Sequence, residues 1–288
     1  MISTKGDRIF GAINITVLAI VAMVTFFPVY YVFIVSFVDP VEYITKPFIL
    51  WPETWSLDSY KYLLSTKSFV GALYNSTFLA VVGTICSLIV TAALAYSLSR
   101  KRLRGRRTFL MLILFTILFS PGIIPHYLLV RDLHLINSIW SLILPALASG
   151  WNVILMKGFF DSLPVELEES AAIDGCNDIS IFLKIILPLS LPSLAAFGLF
   201  YAVGYWNQFF NALLYLNDPT KWPIQVLLQN LLISSSNSEL TSDVFVKAPP
   251  TETLKMAAVI IATVPILLVY PFLQKHFAKG AMVGSVKG

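Results

Sequence analysis

Charge is what this chain has least of. Only 12% of its 288 residues are Asp, Glu, Lys or Arg, against 57% hydrophobic, whereas a soluble domain carries about 25% charged residues. Cysteine is scarce as well. Of the two, Cys86 sits in an apolar block and Cys176 in a polar connection, so no disulfide is expected and a cystine-stapled secreted scaffold is excluded. The three histidines, His126, His134 and His276, are too scattered for a zinc site. Neither G-x-x-x-x-G-K-[ST], H-E-x-x-H nor G-x-S-x-G occurs, which removes P-loop ATP binding and two common hydrolase chemistries. No catalytic constellation supports an intramembrane enzyme. Internal repeats and low-complexity linkers are missing too, so residues 1–288 are expected to form one integral domain.

The apolar residues come in blocks. Stretches free of Asp, Glu, Lys and Arg cover residues 9–38, 68–99, 108–130, 133–156, 185–217 and 256–274. Each reaches the roughly 18–20 residues a helix needs to cross a ~30 Å hydrocarbon core. Blocks this long exclude the ~10-residue strands of a membrane barrel. The expectation is an all-α integral membrane protein with six transmembrane helices. Lys5 and Arg8 precede the first block, but it is too long for a signal peptide and no small-x-small cleavage pattern closes it, so a retained span is expected. No Asp, Glu, Lys or Arg lies mid-block in any span. That weakens a proton-driven carrier, which usually needs one there, without excluding a sodium-coupled one.

Orientation follows from the positive-inside bias. With the N-terminus inside, thirteen of the twenty Lys and Arg fall inside, six of them in the short run "RKRLRGRR" at 100–107. This places both termini in the cytoplasm and makes a nucleic-acid role for the run a minor alternative. Residues 39–67, with Trp51, Trp55, Pro47 and Pro52, suit an interfacial helix or a loop on the headgroups. In the outside loop 218–255, "NDPTKWPIQVLLQNLLI" suggests a folded element dipping towards the membrane. "SSSNSELTSDVF" after it reads as polar and mobile. The loop is either an ordinary connector or a partner contact.

The inside segment 157–184 is unusual. Asp161 or Ser162 can cap a helix with Pro164 first, and Glu166, Glu168 and Glu169 favour its positive end. Gly175 suits a left-handed stop, and Asn177 or Asp178 can cap a second helix that runs into the fifth span, with Pro188 near its start. Leu167, Ala171 and Asp174 share one face, and the small residues 170–172 permit close approach. Docking to a soluble partner competes here with a surface helix on the membrane. The carboxylates disfavour the membrane, because the inner leaflet is negative.

This segment resembles the signature of ABC-importer membrane subunits: E-A-A, three residues, G, nine residues, I-x-L-P. The matching positions are Glu169-Ser170-Ala171, Gly175, Ile185 and Leu187-Pro188. Every gap agrees, and Ser170 replaces the usual first alanine. Asp174 and "FFDSLPVELEE" resemble the carbohydrate-importer branch, whose second maltose-type subunit is also similar in "FPVYYVFIVSF", "YNS" at 74–76 and the tail "QKHFAKGAMVGSVKG". The resemblance spans nearly the whole chain and implies a type I importer permease fold.

It further implies that about 164–174 is the coupling helix, seated on a separate ATPase. Glu169, Ser170, Ala171, Asp174, Gly175 and Pro188 would carry the coupling, and tail residues Lys279 and Gly280 within 275–288 would reach the ATPase interface. The chain itself would bind no cofactor, since ATP and Mg belong to the partner. The implied assembly has a homologous second permease subunit, a dimer of cytoplasmic ATPase subunits and an extracytoplasmic solute-binding protein, in a bacterial plasma membrane and surrounded by its lipid, with no nucleic acid. The closest branch handles oligosaccharides. In "GYWNQFFNA", Tyr205, Trp206, Asn207, Gln208 and Asn211 are either a sugar path of aromatic faces and amides or an interfacial aromatic belt, with Asn75 and Asn152 as further polar candidates. An importer for glycerol-phosphate or peptide, a stand-alone carrier and a non-transporting scaffold are the competing functions.

Overall fold

In the computed structural model, the described residues are 5–46, 48–233 and 252–281. They contain helices and turns and no strand. A single antiparallel bridge joins Val38 to Trp55. Three helices are long and apolar enough to cross a membrane, within Ile9–Ser36, Lys67–Ser99 and Glu252–Val269. Three bent pairs complete up to six crossings: Arg106–Leu118 with Ile123–Asp132 at 117°, Ile139–Ala146 with Gly150–Asp161 at 47°, and Asp178–Leu189 with Leu191–Trp206 at 82°.

The apolar blocks 108–130, 133–156 and 185–217 are therefore crossed by bent pairs, each bent for a local reason. Between α6 (Arg106–Leu118) and α7 (Ile123–Asp132), Phe119 turns extended and Gly122 takes φ +81°. In the fourth block, two 3₁₀ turns, Ile139–Leu142 and Leu144–Ala146, precede α8 (Gly150–Asp161). In the fifth, Pro188 and Pro192 flank Ser190, and a proline inside a helix removes one backbone hydrogen bond and clashes with the preceding turn.

The chain divides into two compact units. The first, residues 1–70 and 228–264, holds α1 (Lys5–Ser36), α2 (Pro40–Thr45), α3 (Asp58–Ser65) and the first half of the last helix. Asp39 caps α2 by accepting from the Val41 N–H at 2.8 Å. Glu42 then ties the returning loop down. Its carboxylate accepts from the backbone N–H of Glu53 (3.0 Å) and Thr54 (2.9 Å) and from the Thr54 hydroxyl (2.8 Å). The expected interfacial segment is thus a built loop with a short helix. It leaves Ile44, Trp51 and Trp55 exposed.

The second unit, 71–227 and 265–288, carries the sites. Its main helices are α4 (Lys67–Phe78), which runs through a π turn at Leu79–Gly83 into α5 (Thr84–Ser99), then α6, α7 and α8. There follow α9 (Glu166–Ile173), α10 (Asp178–Ile181), a second π turn at Phe182–Ile186, and α11 (Leu187–Leu189). The unit continues through α12 (Leu191–Trp206) and α13 (Phe210–Tyr215) to the first turn of α14 (Ile224–Ile233), whose remainder belongs to the first unit. It takes up the second half of α15 (Glu252–Ala281), which closes the described chain. One core cluster joins α5, α8, α9 and α12 through Ala95, Tyr96, Met156, Phe160, Ala171 and Phe197. A second joins α12 and α13 to the 130–143 stretch through Val130, Ile143, Tyr201, Tyr205 and Tyr215.

The folded element expected after Trp222 is α14. The polar run "SSSNSELTSDVF" lies outside the described residues. Lys279 and Gly280 fall in the last turn of α15, and residues 282–288 lie outside the described residues.

Candidate functional site

The segment from α8 to α12 is shaped by short-range rules. Asp161 and Ser162 close α8 rather than open the next helix. Asp161 pairs with Lys157 one turn back, and the Ser162 hydroxyl donates to the Phe159 carbonyl at 2.7 Å. With both engaged, α9 starts at Glu166, two residues later than expected, and no side chain caps it. Its end follows the sequence expectation. Gly175 takes φ +82°, its N–H donates to the Ala172 carbonyl (3.1 Å), and the Cys176 N–H donates to the Ala171 carbonyl (3.0 Å). That pair of bonds is the Schellman closure of a helix, with glycine in the left-handed position. Asn177 then caps α10, its side-chain oxygen accepting from the Ser180 N–H at 2.8 Å.

The outward surface of α9 differs from the expected face. Ala171 is buried in the chain's own core, so it seats α9 on α5 and α8 and is not offered outward. Leu167 and Asp174 are exposed, as are Glu169, Ser170 and Ala172, and Ile173 is 86% exposed. Beyond the turn, Ile179 is also exposed. Acidic groups and bare isoleucines therefore share one short, stiff projection. A leucine or isoleucine fully buried by a partner contributes about 1.5–3 kcal/mol, and carboxylates around it select a basic surface.

What holds the projection was missed in the sequence. The basic run at 100–107 served there only as an orientation signal, yet three of its arginines bind back onto the chain. Arg100 donates to Glu168, to the Ser99 hydroxyl (2.9 Å) and to the Phe160 carbonyl (3.4 Å), and its guanidinium lies 4.7 Å from the Tyr96 ring centroid. Tyr96 in turn stacks on Phe182 at 4.8 Å. Arg102 pairs with Asp178, and Arg106 donates to the Leu98 carbonyl at 2.7 Å. A cleft of about 550 Å³ between Arg100, Arg106, Leu163 and Glu169 runs along this joint. Arginine density in so short a loop was the available signal, but nothing in it names Glu168 as the target.

The second candidate cluster, around 205–211, straddles the end of α12. Tyr205 and Trp206 are buried at 3% and 6% exposure. The Tyr205 hydroxyl is hydrogen-bonded to Ser87 at 2.8 Å, and Tyr201 to Thr91 at 2.7 Å. The two pairs step four residues along each helix in opposite directions, so they zip α5 against an antiparallel α12. Gly83 makes room for this: a Cβ there would stand 2.7 Å from the Tyr205 ring. The helix breaks at Asn207–Phe209, leaving Asn207 and Asn211 exposed and Gln208 half-buried. Asn207 donates to the Val203 carbonyl at 3.0 Å and its side-chain oxygen accepts from Gln225 at 3.3 Å.

Asn75 is committed elsewhere. Its amide donates to the Thr220 and Trp222 carbonyls (2.9 and 3.1 Å), while Ser76 accepts from the Ile224 N–H at 2.7 Å. The Tyr74–Ser76 stretch therefore clips the 220–224 loop. Asn152 is half-buried in α8. No cluster of three or more His, Cys, Asp or Glu capable of holding a metal occurs among the described residues.

Residues 87–283 match a family described as the binding-protein-dependent transport system inner membrane component. The chain is similar, at 49% identity over 98% of its length and 99% of the relative's, to the polygalacturonan/rhamnogalacturonan transport system permease protein YtcP of Bacillus subtilis (strain 168). It is 47% identical over its full length to protein LplC of the same organism, covering 98% of that protein. Among solved structures, it resembles a chain from a bacterial ABC transporter involved in the import of the acidic polysaccharide alginate. The TM-score is 0.86 at 32% identity, covering 96% of this chain and 99% of that one.

Proposed function

The chain belongs to the family of binding-protein-dependent transport system inner membrane components, a multi-pass membrane protein, and from that premise we propose that it is one permease domain of an ATP-driven oligosaccharide importer. The observation that carries the mechanism is the α9 projection, rigidly closed at Gly175 and exposing Glu169, Ser170, Ile173 and Asp174. In this reading α9 docks on a cytoplasmic ATPase, with both termini on that side. ATP and Mg bind on a dimer of that subunit and the permease itself catalyses nothing. Closure of the ATPase pair pushes α9, and alternating access follows as helices move against one another.

A homologous second permease chain completes the membrane part. An extracytoplasmic binding protein delivers solute near the 218–255 loop. The tail around Lys279 and Gly280 contributes to the ATPase interface. Because Tyr205 and Trp206 are spent on packing, the solute path narrows to the amides of Asn207, Gln208 and Asn211. The cargo follows the relatives: oligosaccharides from polysaccharides such as polygalacturonan, rhamnogalacturonan or alginate.

The test is reconstitution in liposomes with the ATPase, second permease and binding protein that co-purify with it. A polygalacturonan digest should stimulate ATP hydrolysis and enter only with ATP inside. Glu169→Lys and Gly175→Trp should leave membrane insertion intact and abolish uptake. Full uptake in both variants would remove α9 from the coupling route, and uptake driven by an ion gradient without ATP would replace the importer with a carrier.

A further inference from the structure

The loop arginines are unequal. Arg102 and Asp178 lie in water, at 59% and 65% side-chain exposure, whereas Arg100 and Glu168 retain only 14% and 13%. Exposed pairs are screened and contribute little. A pair drawn out of water is screened far less, and losing one partner strands the other. Arg100 also makes contacts a lysine could not make together: its planar fork reaches Ser99, Phe160 and Glu168 while its face covers Tyr96. Glu168 is the α9 carboxylate turned inward, whereas its neighbour Glu169 is exposed.

The connectivity gives this joint its meaning. Along the chain α9 leads to α12, and an 82° bend at Ser190 interrupts that path. Along the chain, α5 lies far from α9. They meet through Ala171 in the shared core and through Arg100 on Glu168.

Resting on the proposed ATPase coupling, we propose that Arg100 and Glu168 are positioning residues that deliver the motion of α9 into α5. The straight span then receives the push directly, and the Ser87–Tyr205 and Thr91–Tyr201 pairs pass it across to α12. Docking and transmission are divided between adjacent glutamates, Glu169 for the ATPase and Glu168 for α5.

The test uses the full transporter complex in liposomes, with Cys86→Ala and Cys176→Ala in the permease. Ile89→Cys, on the exposed side of α5, carries an environment-sensitive fluorophore. ATP with Mg should shift its signal in the otherwise unaltered complex. Arg100→Gln should keep the ATPase bound and hydrolysing but reduce that shift about tenfold, within the usual range of coupling factors. The swap Arg100→Glu with Glu168→Arg restores the ion pair without the Ser99, Phe160 and Tyr96 contacts and should recover part of it. Unchanged ATPase binding and hydrolysis in these variants separate lost transmission from lost structure. If Arg100→Gln fails to assemble, Glu168→Gln leaves the arginine on Ser99 and Phe160 and reads the same step. A full shift in the assembled single variants overturns the proposal, as does an otherwise unaltered complex, with Arg100 and Glu168 in place, that hydrolyses ATP while α5 stays silent; in both cases the permease function stands. A permease that recruits no ATPase removes the function and the proposal together.

Discussion

Helix α5 is held in two opposite ways along its length. At its last residues the restraints are ionic: Arg100 on Glu168, with Arg102 on Asp178 beside it. Two to three turns earlier they are neutral, Thr91 on Tyr201 and Ser87 on Tyr205, with glycine at position 83 giving the second ring its space. The difference follows the solvent. At the helix end full charges are tolerated because each is paired, Arg102–Asp178 in water and Arg100–Glu168 largely out of it with the Ser99 and Phe160 oxygens beside it. Within the apolar block an unpaired charge would cost several kcal/mol, so hydroxyl pairs of fixed reach set the helix register. The helix end is therefore fixed by charge pairing, and its middle by hydroxyl contacts of short reach.

The contrast can be broken in a graded way. Arg100→Ala should have the largest effect, lowering unfolding stability in detergent by about 2–3 kcal/mol, just under the about 3–5 of a fully buried pair. Gly83→Ala comes next. Its methyl meets the Tyr205 ring, and overpacking of this kind costs about 1–3 kcal/mol; Tyr205→Leu in the same chain should recover most of that loss. At the seam, Ser87→Ala and Tyr205→Phe should each cost about 1 kcal/mol. A double-mutant cycle should show them coupled, because they delete the same bond.

Arg102→Ala should fall within about 0.5 kcal/mol, and that small effect should vanish in high salt. Equal costs at Arg100 and Arg102 would erase the distinction between the two pairs.

An acidic group away from α5 offers a further control. The backbone N–H groups of Glu53 and Thr54 hold the Glu42 carboxyl at about 2, down from 4.5. Its folded value is depressed, so its contribution is complete above pH 4.5 and is lost as the pH falls towards 2. Hydrogen-exchange protection of the Glu53 and Thr54 amides, corrected for the intrinsic rate at each pH, should be high at neutral pH and fall across that interval. Glu42→Gln should show the lower protection already at pH 7.

Much of this was legible before the structure. The six apolar blocks locate the crossings, and the glycine and asparagine at 175 and 177 announce a left-handed stop followed by a new cap, which is how the backbone closes. These features are local, encoded within one turn of chain. The bends were partly visible, since Pro121–Gly122 and the prolines around Ser190 lie inside blocks read as continuous. Apolar length alone does not register a kink.

The joint and the seam were not legible. Arg100 and Glu168 stand 68 positions apart and Ser87 and Tyr205 118 apart, and such pairings leave no periodicity. Nor does composition tell which way an aromatic faces. Tyr205 and Trp206 carry the residue types of a sugar path, but packing against α5 and its neighbours buries them. Of the two surfaces that the small Ala171 could admit, the one it meets is the chain's own core.

The central claim is that α9 is a docking projection for a separate ATPase. It is tested most directly by purifying the chain from its native membrane in mild detergent and identifying by mass spectrometry what accompanies it. A second permease chain and a cytoplasmic ATPase should accompany it, with Glu169→Lys losing the ATPase while keeping the membrane partner. Recovery of the chain alone, under conditions in which other membrane complexes survive, would contradict the claim.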